Sequence, residues 1–578
     1  MKNIKEDEKL NIINHSGAHL MAQAIKHLYP KALFWVGPVI EEGFYYDVDL
    51  GDEVIKEEDL VTIEREMKKI SKDGKRITRE ELSRSDALEK FKDDSYKIDL
   101  INNMESDEVI TCYTQGDFTD LCRGPHVESL KELKHFKLLK VSGAYWKGDA
   151  NNKMLQRIYG ICFENEDDLA EHLNMLEEAK KRDHRKIGKD LGIFMISEYG
   201  PGFPFWLPNG MILKNKLEEF WYQEHTKEGY VFINTPIMLS KELWEVSGHW
   251  FNYKENMYTS VIEDMEFAIK PMSCPGAFLV YKSELHSYKD FPLRIGELGL
   301  VHRHEASGAL SGLFRVRRFT QDDAHLFMRE DQLESEIIRF VNFIDRIYSV
   351  FGLSYRIELS TRPEDKFIGD INVWNKSEEI LEKALKKLSK EYKINPGDGA
   401  FYGPKLDFKV KDSIGREWQC GTLQLDMNMP ERFDLTYVDA DGSKKRPIVF
   451  HHVTYGSMER FIGVIIEHFA GAFPLWLSPV QVNIIPVNNE YHLEYAKEIK
   501  EILLDSEIRV MLDERNEKLS YKMRESQTNK IPYTLILGDN EIKEKIISYR
   551  KFGNAETVSL SYNEFIELLK KEIKEKTI

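Results

Sequence analysis

A chain of 578 residues with 42% hydrophobic, 31% charged and 11% aromatic side chains has room for three to four domains of about 150 residues, which excludes a lone binding module or a largely disordered protein. Its formal net charge of −17 excludes coating of nucleic acid through bulk positive charge, so any RNA partner has to be held by local basic patches. Five dispersed cysteines without a CxxC pair exclude a disulfide framework, and the most apolar run, 461–477, is broken by Glu467, His468 and Pro474; no membrane partner and a cytoplasmic location are expected.

In chain order, His15 and His19 stand four apart in HSGAH, a spacing that on a helix aims both imidazoles the same way. Cys122 and His126 stand four apart in CRGPH, where Gly-Pro demands a turn. HxxxH with CxxxH reads as a four-ligand zinc site; two histidines can equally position or deprotonate a water near neutral pH, and the residues alone leave both open. Strands such as 136–141 give this segment a mixed α+β character. From 167 to 189, Leu169, Leu173, Leu176 and Ala179 fall at helical spacing and run into Lys180, Lys181, Arg182, His184, Arg185 and Lys186. That predicts one linking helix and a domain boundary near Asp183.

The segment up to 478 is rich in Gly, Pro and aromatics. Read as a strand, 314–327 (FRVRRFTQDDAHLF) puts Arg315, Arg317, Phe319, Gln321, Asp323 and His325 on one face. Such a face can hold a phosphate, a base and an amino group, although a solvated face of an antiparallel sheet would also be polar. Arg303, Glu305 and a Gly/Ser loop over 306–313 complete a hairpin whose arginines can fork onto phosphate oxygens. Gly456-Ser457-Met458-Glu459-Arg460 opens an apolar helix, 461–469. The absence of GxxxxGK[ST] and GxGxxG elements excludes P-loop and Rossmann nucleotide sites at motif level. Beyond 479, short β-branched runs (480–485, 508–511, 533–537) alternate with charged helical stretches such as 491–504, the pattern of a compact α/β domain. Three domains are therefore expected, 1–182, 183–478 and 479–578.

The central elements resemble the three sequence motifs of class II aminoacyl-tRNA synthetases: a first motif ending near Pro236, the Arg303/Glu305 hairpin as second, and the helix opened by Gly456 to Arg460 as third. PMSCPG (271–276), RVRRFTQDDAHLF (315–327), GAFYGPK (399–405), QCGTLQLD (419–426) and GSMERFIG (456–463) narrow this to a resemblance to threonyl-tRNA synthetases that runs along nearly the whole chain. It implies an α+β multidomain enzyme: an α+β editing domain, a class II antiparallel sheet with flanking helices, and a C-terminal α/β anticodon-binding domain. By that resemblance a homodimer, built through the first motif, activates L-threonine with ATP and Mg2+ to threonyl-adenylate and passes it to tRNA(Thr). A regulatory synthetase-like protein would be expected to lose Arg303, Arg315 or Arg460, and a free zinc hydrolase would explain only the first segment.

The resemblance assigns Arg303 and Arg315 to the α-phosphate and the threonine carboxylate, Arg460 to stacking on adenine opposite Phe319, and Glu305 to the adenine amino group. Lys405 and Ser457, with Met272, Gln321, Tyr402, Gln419 and Gln424, would complete the pocket, and His249 would assist deprotonation of the terminal ribose hydroxyl. Cys274, His325 and His451 are implied as ligands of one catalytic Zn2+ per subunit, three protein groups leaving a position open; His452 rivals its neighbour, and the family pattern favours His451. Threonine and valine are nearly isosteric, so an apolar pocket could not strongly prefer the hydroxyl, whereas a metal binding the amino and hydroxyl groups could, with Asp323 accepting the hydroxyl hydrogen. Serine differs by one methyl, worth only about 1 to 3 kcal/mol, so a correcting site is expected. The resemblance puts it in the first segment, where His15, His19, Lys97, Asp120, Cys122 and His126 would hydrolyse seryl-tRNA(Thr) without a required metal. Asn516, Arg524, Lys530, Glu541 and Arg550 would contact the anticodon. Two departures stand out. Bacterial-type members carry a small ubiquitin-like domain where only 14 residues precede His15 here, and HSGAH has Gly17 where Cys or Ala is familiar.

Overall fold

A computed structural model of the protein describes residues 4–105, 108–149, 151–365 and 367–578, and it divides into two compact units, Met1–Glu178 and Ala179–Ile578. In the first, Asp7 starts α1 (Glu8–Leu28) by accepting the Leu10 N–H. There follow β1 (Gly43–Asp49), α2 (Leu60–Asp73), β2 (Ile77–Leu82), α3 (Ser95–Asn102), β3 (Ile110–Gln115), β4 (Phe118–Leu121), β5 (His135–Tyr145) and β6 (Met154–Phe163). β1, β6 and β5 lie side by side and antiparallel, while β2, β3 and β4 form a separate meander. α1 and α2 bury their apolar faces on the first sheet, around Leu20, Ile25, Phe44, Ile63, Met67 and Leu138. Asn14 ties α1 to β6 by bonding both the N–H and the carbonyl of Cys162, each at 2.9 Å. At Gly17 the departure from the family pattern has a packing cause: a Cβ there would stand 2.5 Å from Cys162 Sγ, whose sulfur already fills that space.

The expected single linking helix is two. α4 (Glu166–Arg182) stops at Asp183, whose carboxylate accepts the Arg185 N–H at 2.8 Å and caps a new helix, α5 (His184–Asp190). An aspartate offers the backbone this alternative partner, and the helical periodicity of the leucines carries no trace of it.

In the second unit come α6 (Pro208–Lys227), α7 (Cys274–Lys282), β7 (Leu293–His302), β8 (Arg318–Met328), α8 (Leu333–Ser349), β9 (Ser354–Ser360), β10 (Lys405–Lys411), β11 (Glu417–Asp426), β12 (Ile448–Ser457) and α9 (Met458–His468). The sheet order is β7-β8-β12-β11-β10-β9, antiparallel throughout, with short parallel strands Val231–Phe232 and Tyr392–Asn395 at its edges. Alternation along β8 sends Ala324, Leu326 and Met328 into the core shared with α6, α8 and α9, which leaves Gln321, Asp323 and His325 on the opposite face. β8 begins at Arg318, not at 314. Residues 303–317 form a loop, closed by the Arg303 N–H to the Arg317 carbonyl at 3.0 Å and carrying a bridge between Ser311 and Arg315. Arg315 and Arg317 are therefore not placed by strand alternation. Arg317 is spent on the loop itself, donating to the Glu305 carbonyl at 2.8 and 2.9 Å.

The last elements are β13 (Val482–Pro486), α10 (Asn489–Asp505), β14 (Val510–Leu512), α11 (Leu519–Thr528), β15 (Tyr533–Leu537), β16 (Ile546–Lys551), β17 (Val558–Ser561) and α12 (Tyr562–Glu575). They build a five-stranded sheet, β14-β13-β15-β16-β17, parallel over its first three strands and antiparallel beyond. Its core gathers Val482, Leu503, Tyr533, Leu535, Phe565 and Leu569. Among the described residues no helix is long and apolar enough to cross a membrane.

Candidate active sites

On the polar face of the eight-stranded sheet lies a cavity of about 350 Å³. Cys274 lines it from the first turn of α7 and His451 from β12, while His325, directly opposite His451 on β8, is buried behind them and does not line the cavity. Their ligand atoms all lie within 4.8 Å of one another. Asp426 accepts from His451 Nε2 at 2.9 Å, so the proton sits there and Nδ1 keeps its lone pair. His451 Nδ1 and His325 Nε2 are buried with no hydrogen-bond partner among the described residues. Burial pushes the His325 imidazole well below its usual range, and burial, followed by the Asp323 carboxylate, pushes the Cys274 thiol well above its own. Two orphaned imidazole nitrogens and a buried thiol that would ionise only against a cation make a donor set suited to Zn2+. His452 turns to the other face, its Nε2 2.6 Å from the Tyr230 hydroxyl and its ring against Phe340.

Asp323 stands 4.0 Å from His325 Nε2. Burial, then the nearby Glu297 and Asp322, raise its carboxyl to about 8. In the same cavity the Tyr402 hydroxyl donates to Gln424 and Gln419 Nε2 donates to Asp407 at 2.6 Å; Lys405 lines neither cavity of the site, its Nζ pairing with the other oxygen of Asp407 at 3.0 Å. His249 is buried, with Nδ1 2.8 Å from Ser247 Oγ and Nε2 3.1 Å from Met272 Sδ; burial, then the Arg303 charge, hold it down to about 3.

A second cavity of about 220 Å³ is lined by Arg303, Glu305, Arg315, Phe319, Gln321 and Arg460, among others. Arg303 lies 5.1 Å from the Phe319 ring centre. Arg315 Nε pairs with Glu305 at 2.9 Å. Ser457 caps α9 by accepting the Arg460 N–H at 3.2 Å, and the Arg460 guanidinium donates to the Phe314 and Gln419 carbonyls at 3.1 and 3.2 Å. Reading the sequence missed the carboxylates that hold these pieces. Asp322 accepts the N–H groups of Thr454, Tyr455 and Gly456 at 2.7 to 2.8 Å, and Lys270 and Glu297 form a buried pair at 2.9 Å over Thr235. Glu297 left a signal, a lone charge inside the apolar stretch of β7; Asp322 left none.

In the first unit, His15, His19, Cys122 and His126 converge with ligand atoms within 4.8 Å of one another. His15 Nδ1 donates to the Pro125 carbonyl at 3.2 Å. His126 Nδ1 donates to Ser16 Oγ at 3.1 Å, since that hydroxyl's own hydrogen goes to the Ile12 carbonyl. Both Nε2 atoms therefore turn bare lone pairs toward Cys122 Sγ, at 3.1 and 3.3 Å. Burial holds His15 and His126 below the usual range and His19 well below it, and pushes the Cys122 thiol up to about 12. Lys97 pairs with Asp120 at 2.5 Å, the Tyr46 hydroxyl donates to the same carboxylate, and His19 Nε2 lies 3.6 Å from it. Tyr46 is the member of this set that the sequence did not disclose.

The five anticodon candidates are not gathered into one pocket. Asn516 lies on an exposed loop and Arg524 on the exposed face of α11. Lys530 donates to the Ala470 carbonyl, Glu541 accepts from the Gly538 N–H and the Ser548 hydroxyl at 2.9 and 2.6 Å, and Arg550 donates to Thr557 at 2.8 Å.

A model of the tRNA synthetase class II core domain (G, H, P, S and T) matches residues 258–469, one of an anticodon binding domain matches 481–572, and one of the threonyl and alanyl tRNA synthetase second additional domain matches 110–159. The chain is 57% identical over 567 residues to the threonine–tRNA ligase of Fusobacterium nucleatum subsp. nucleatum, spanning 97% of this chain and 91% of that protein. It is 55% identical over 571 residues to that of Clostridioides difficile, spanning 98% and 89%. The crystal structure of the RNA binding domain of threonyl-tRNA synthetase from Cryptosporidium parvum is similar with a TM-score of 0.66 and 38% identity, over 68% of this chain and 98% of that one.

Proposed function

The chain belongs to the threonine–tRNA ligase family, and on that premise we propose that its two histidine–cysteine clusters divide the work: the sheet pocket makes threonyl-tRNA(Thr), and the cluster of the first unit hydrolyses seryl-tRNA(Thr). The family's substrates are ATP, threonine and tRNA. The observation that carries the division is that the two clusters belong to different compact units, each with its own supporting carboxylate, Asp426 in one and Asp120 in the other.

In the sheet pocket Cys274, His325 and His451 would hold one Zn2+, which when bound supplies an open Lewis-acidic position for the amino and hydroxyl groups of threonine. Asp323, whose carboxyl burial raises to about 8, would accept the hydroxyl hydrogen once the charge of a bound Zn2+ beside it favours the carboxylate. Arg303 and Arg315 neutralise charge as the threonine carboxylate attacks the α-phosphorus of Mg2+-ATP and pyrophosphate leaves. Phe319 and Arg460 hold the adenine between them, and Glu305 receives its amino group. His249 is neutral, the state a proton acceptor requires; burial is the main cause of its low basicity, and a phosphate beside Arg303 would offset only the smaller contribution of that charge. The terminal ribose hydroxyl of tRNA loses its proton there as it attacks the adenylate carbonyl.

In the first unit, the paired Nε2 lone pairs of His15 and His126 would accept hydrogen bonds from a water and orient it for attack, burial keeping both imidazoles neutral, with His19 beside the Lys97–Asp120–Tyr46 set. The Cys122 thiol has one hydrogen and can meet only one of these nitrogens at a time, so the other is open to a water without a metal between them. The four converging donors also support a second reading, a zinc-bound hydroxide doing the same hydrolysis. The homodimer is supported by the edge strand Val231–Phe232 and by Val231, Phe232, Ile237 and Met238, which are 37 to 52% exposed around the first motif. The enzyme works in the cytoplasm, beside its tRNA.

Amino-acid-dependent ATP–pyrophosphate exchange over all twenty amino acids tests the assignment. Threonine should drive it strongly, serine weakly and valine scarcely; a preference for any other amino acid would contradict it.

A further inference from the structure

The basic run that closes α4 and opens α5 has no part in either site, yet it grips the second unit from within. Arg182 donates to the His468 carbonyl at 3.1 Å and to Ser413 Oγ at 2.8 Å, at the C-terminal end of α9. His184 is 2% exposed. Its Nε2 accepts the Leu313 N–H at 2.9 Å, so that nitrogen is bare and Nδ1 carries the proton, which it donates to Glu467 at 2.6 Å. Glu467 also accepts the His184 backbone N–H at 2.9 Å and pairs with Arg416. Asp183, His184 and Glu467 have the proximity of a metal cluster, but both imidazole nitrogens are already used, so the arrangement is a joint rather than a metal site.

What the joint holds is the loop between β7 and β8. The His184 ring packs on Phe314, with centres 4.1 Å apart, and Phe314 stacks on Trp418 at 4.0 Å. The Phe314 carbonyl receives Arg460, and the next residue, Arg315, meets Glu305. Gly312, at φ +49°, permits the approach: a Cβ there would stand 2.1 Å from His184 Nε2. Neither His184 nor Glu467 lines the two cavities of the site. We propose that His184, with its tautomer fixed by Glu467, is a positioning residue that sets the 311–315 loop and so the affinity for ATP; this rests on the threonine–tRNA ligase reading.

The test is threonine-dependent ATP–pyrophosphate exchange in the full chain, varying ATP and threonine separately. His184→Phe keeps the ring packing and strands the Leu313 N–H. It should raise KM for ATP about tenfold, the effect of one unmet buried donor, with KM for threonine within about twofold. His184→Gln, which restores an acceptor, should recover most of the loss. Glu467→Gln should raise KM for ATP about threefold although it touches no nucleotide, and adding it to His184→Phe should cost less than the product of the two effects, since they share the ring contact while Glu467 keeps its bonds to the His184 backbone N–H and Arg416. An unchanged KM for ATP in either single variant, an equal loss for both substrates that glutamine does not rescue, or additive effects would overturn the proposal. Should His184→Phe fail to fold, Glu467→Gln alone decides. Wild-type protein without threonine-dependent exchange would instead count against the functional reading.

Discussion

Asp426 fixes which nitrogen His451 presents to the cluster, and with its other oxygen it accepts the N–H groups of Asn428 and Met429 at 2.8 and 2.9 Å. Asp426→Asn keeps that oxygen and weakens the grip on the imidazole. Zinc affinity, measured by competition with a chromophoric chelator, should fall 10- to 100-fold with the fold retained; unchanged affinity would mean that His451 is not a ligand. Glu459 illustrates a different burden. Its carboxylate accepts the Thr320 N–H at 2.8 Å while its other oxygen has no partner among the described residues, and burial lifts it to about 7. The folded protein therefore keeps this proton at pH values where the unfolded chain, near its ordinary 4.5, has lost it. Stability must fall as pH rises from 4.5 through 7. Glu459→Gln removes the burden, so the variant should match wild type below pH 4.5 and exceed it by up to about 3 kcal/mol at pH 8, in urea unfolding followed across pH. A gap independent of pH would contradict the sign.

At the scale of elements, periodicity located the stretches it was read on, such as 136–141, 461–469, 491–504 and 533–537, but not where others stop. The leucines of 167–189 end at Leu176, and the basic run beyond them carries no local signal of a stop; the Asp183 side-chain hydrogen bond to the Arg185 N–H is what starts a new helix there. Likewise 314–317 alternates as a strand would, but Arg317 is occupied in closing the loop. The HxxxH half of the first-unit cluster was legible because i and i+4 share a helix face. Cys274, His325 and His451 were legible only through the family resemblance, because what joins them is the β8–β12 register, which no local pattern encodes. Gly17 sits where α1 rests on β6. Gly17→Ala should destabilise the protein by about 1 to 3 kcal/mol through its clash with Cys162, and the added Cys162→Ala should restore much of that. If the single substitution is neutral in thermal unfolding, packing does not explain the glycine.

The whole molecule carries −17 and yet belongs to a family that handles RNA, so its contacts with tRNA must be local. The C-terminal sheet is joined to the synthetic core by more than a linker: Ile573 packs on both cores, and Arg509 donates to the Trp476 and Ser478 carbonyls, each at 2.9 Å. Its removal would uncover part of the core, so the anticodon residues are better probed singly. The first unit instead contains a complete cluster of its own. If the sheet pocket rejects serine by one methyl, worth roughly 10- to 200-fold, correction must come from that cluster. The decisive measurement is seryl-tRNA(Thr) formed by wild type and by His15→Ala with His19→Ala, alongside threonylation. Division of labour predicts that seryl-tRNA(Thr) accumulates in the variant while threonylation stays nearly intact; no rise in seryl-tRNA(Thr), or an equal fall in threonylation, would contradict it.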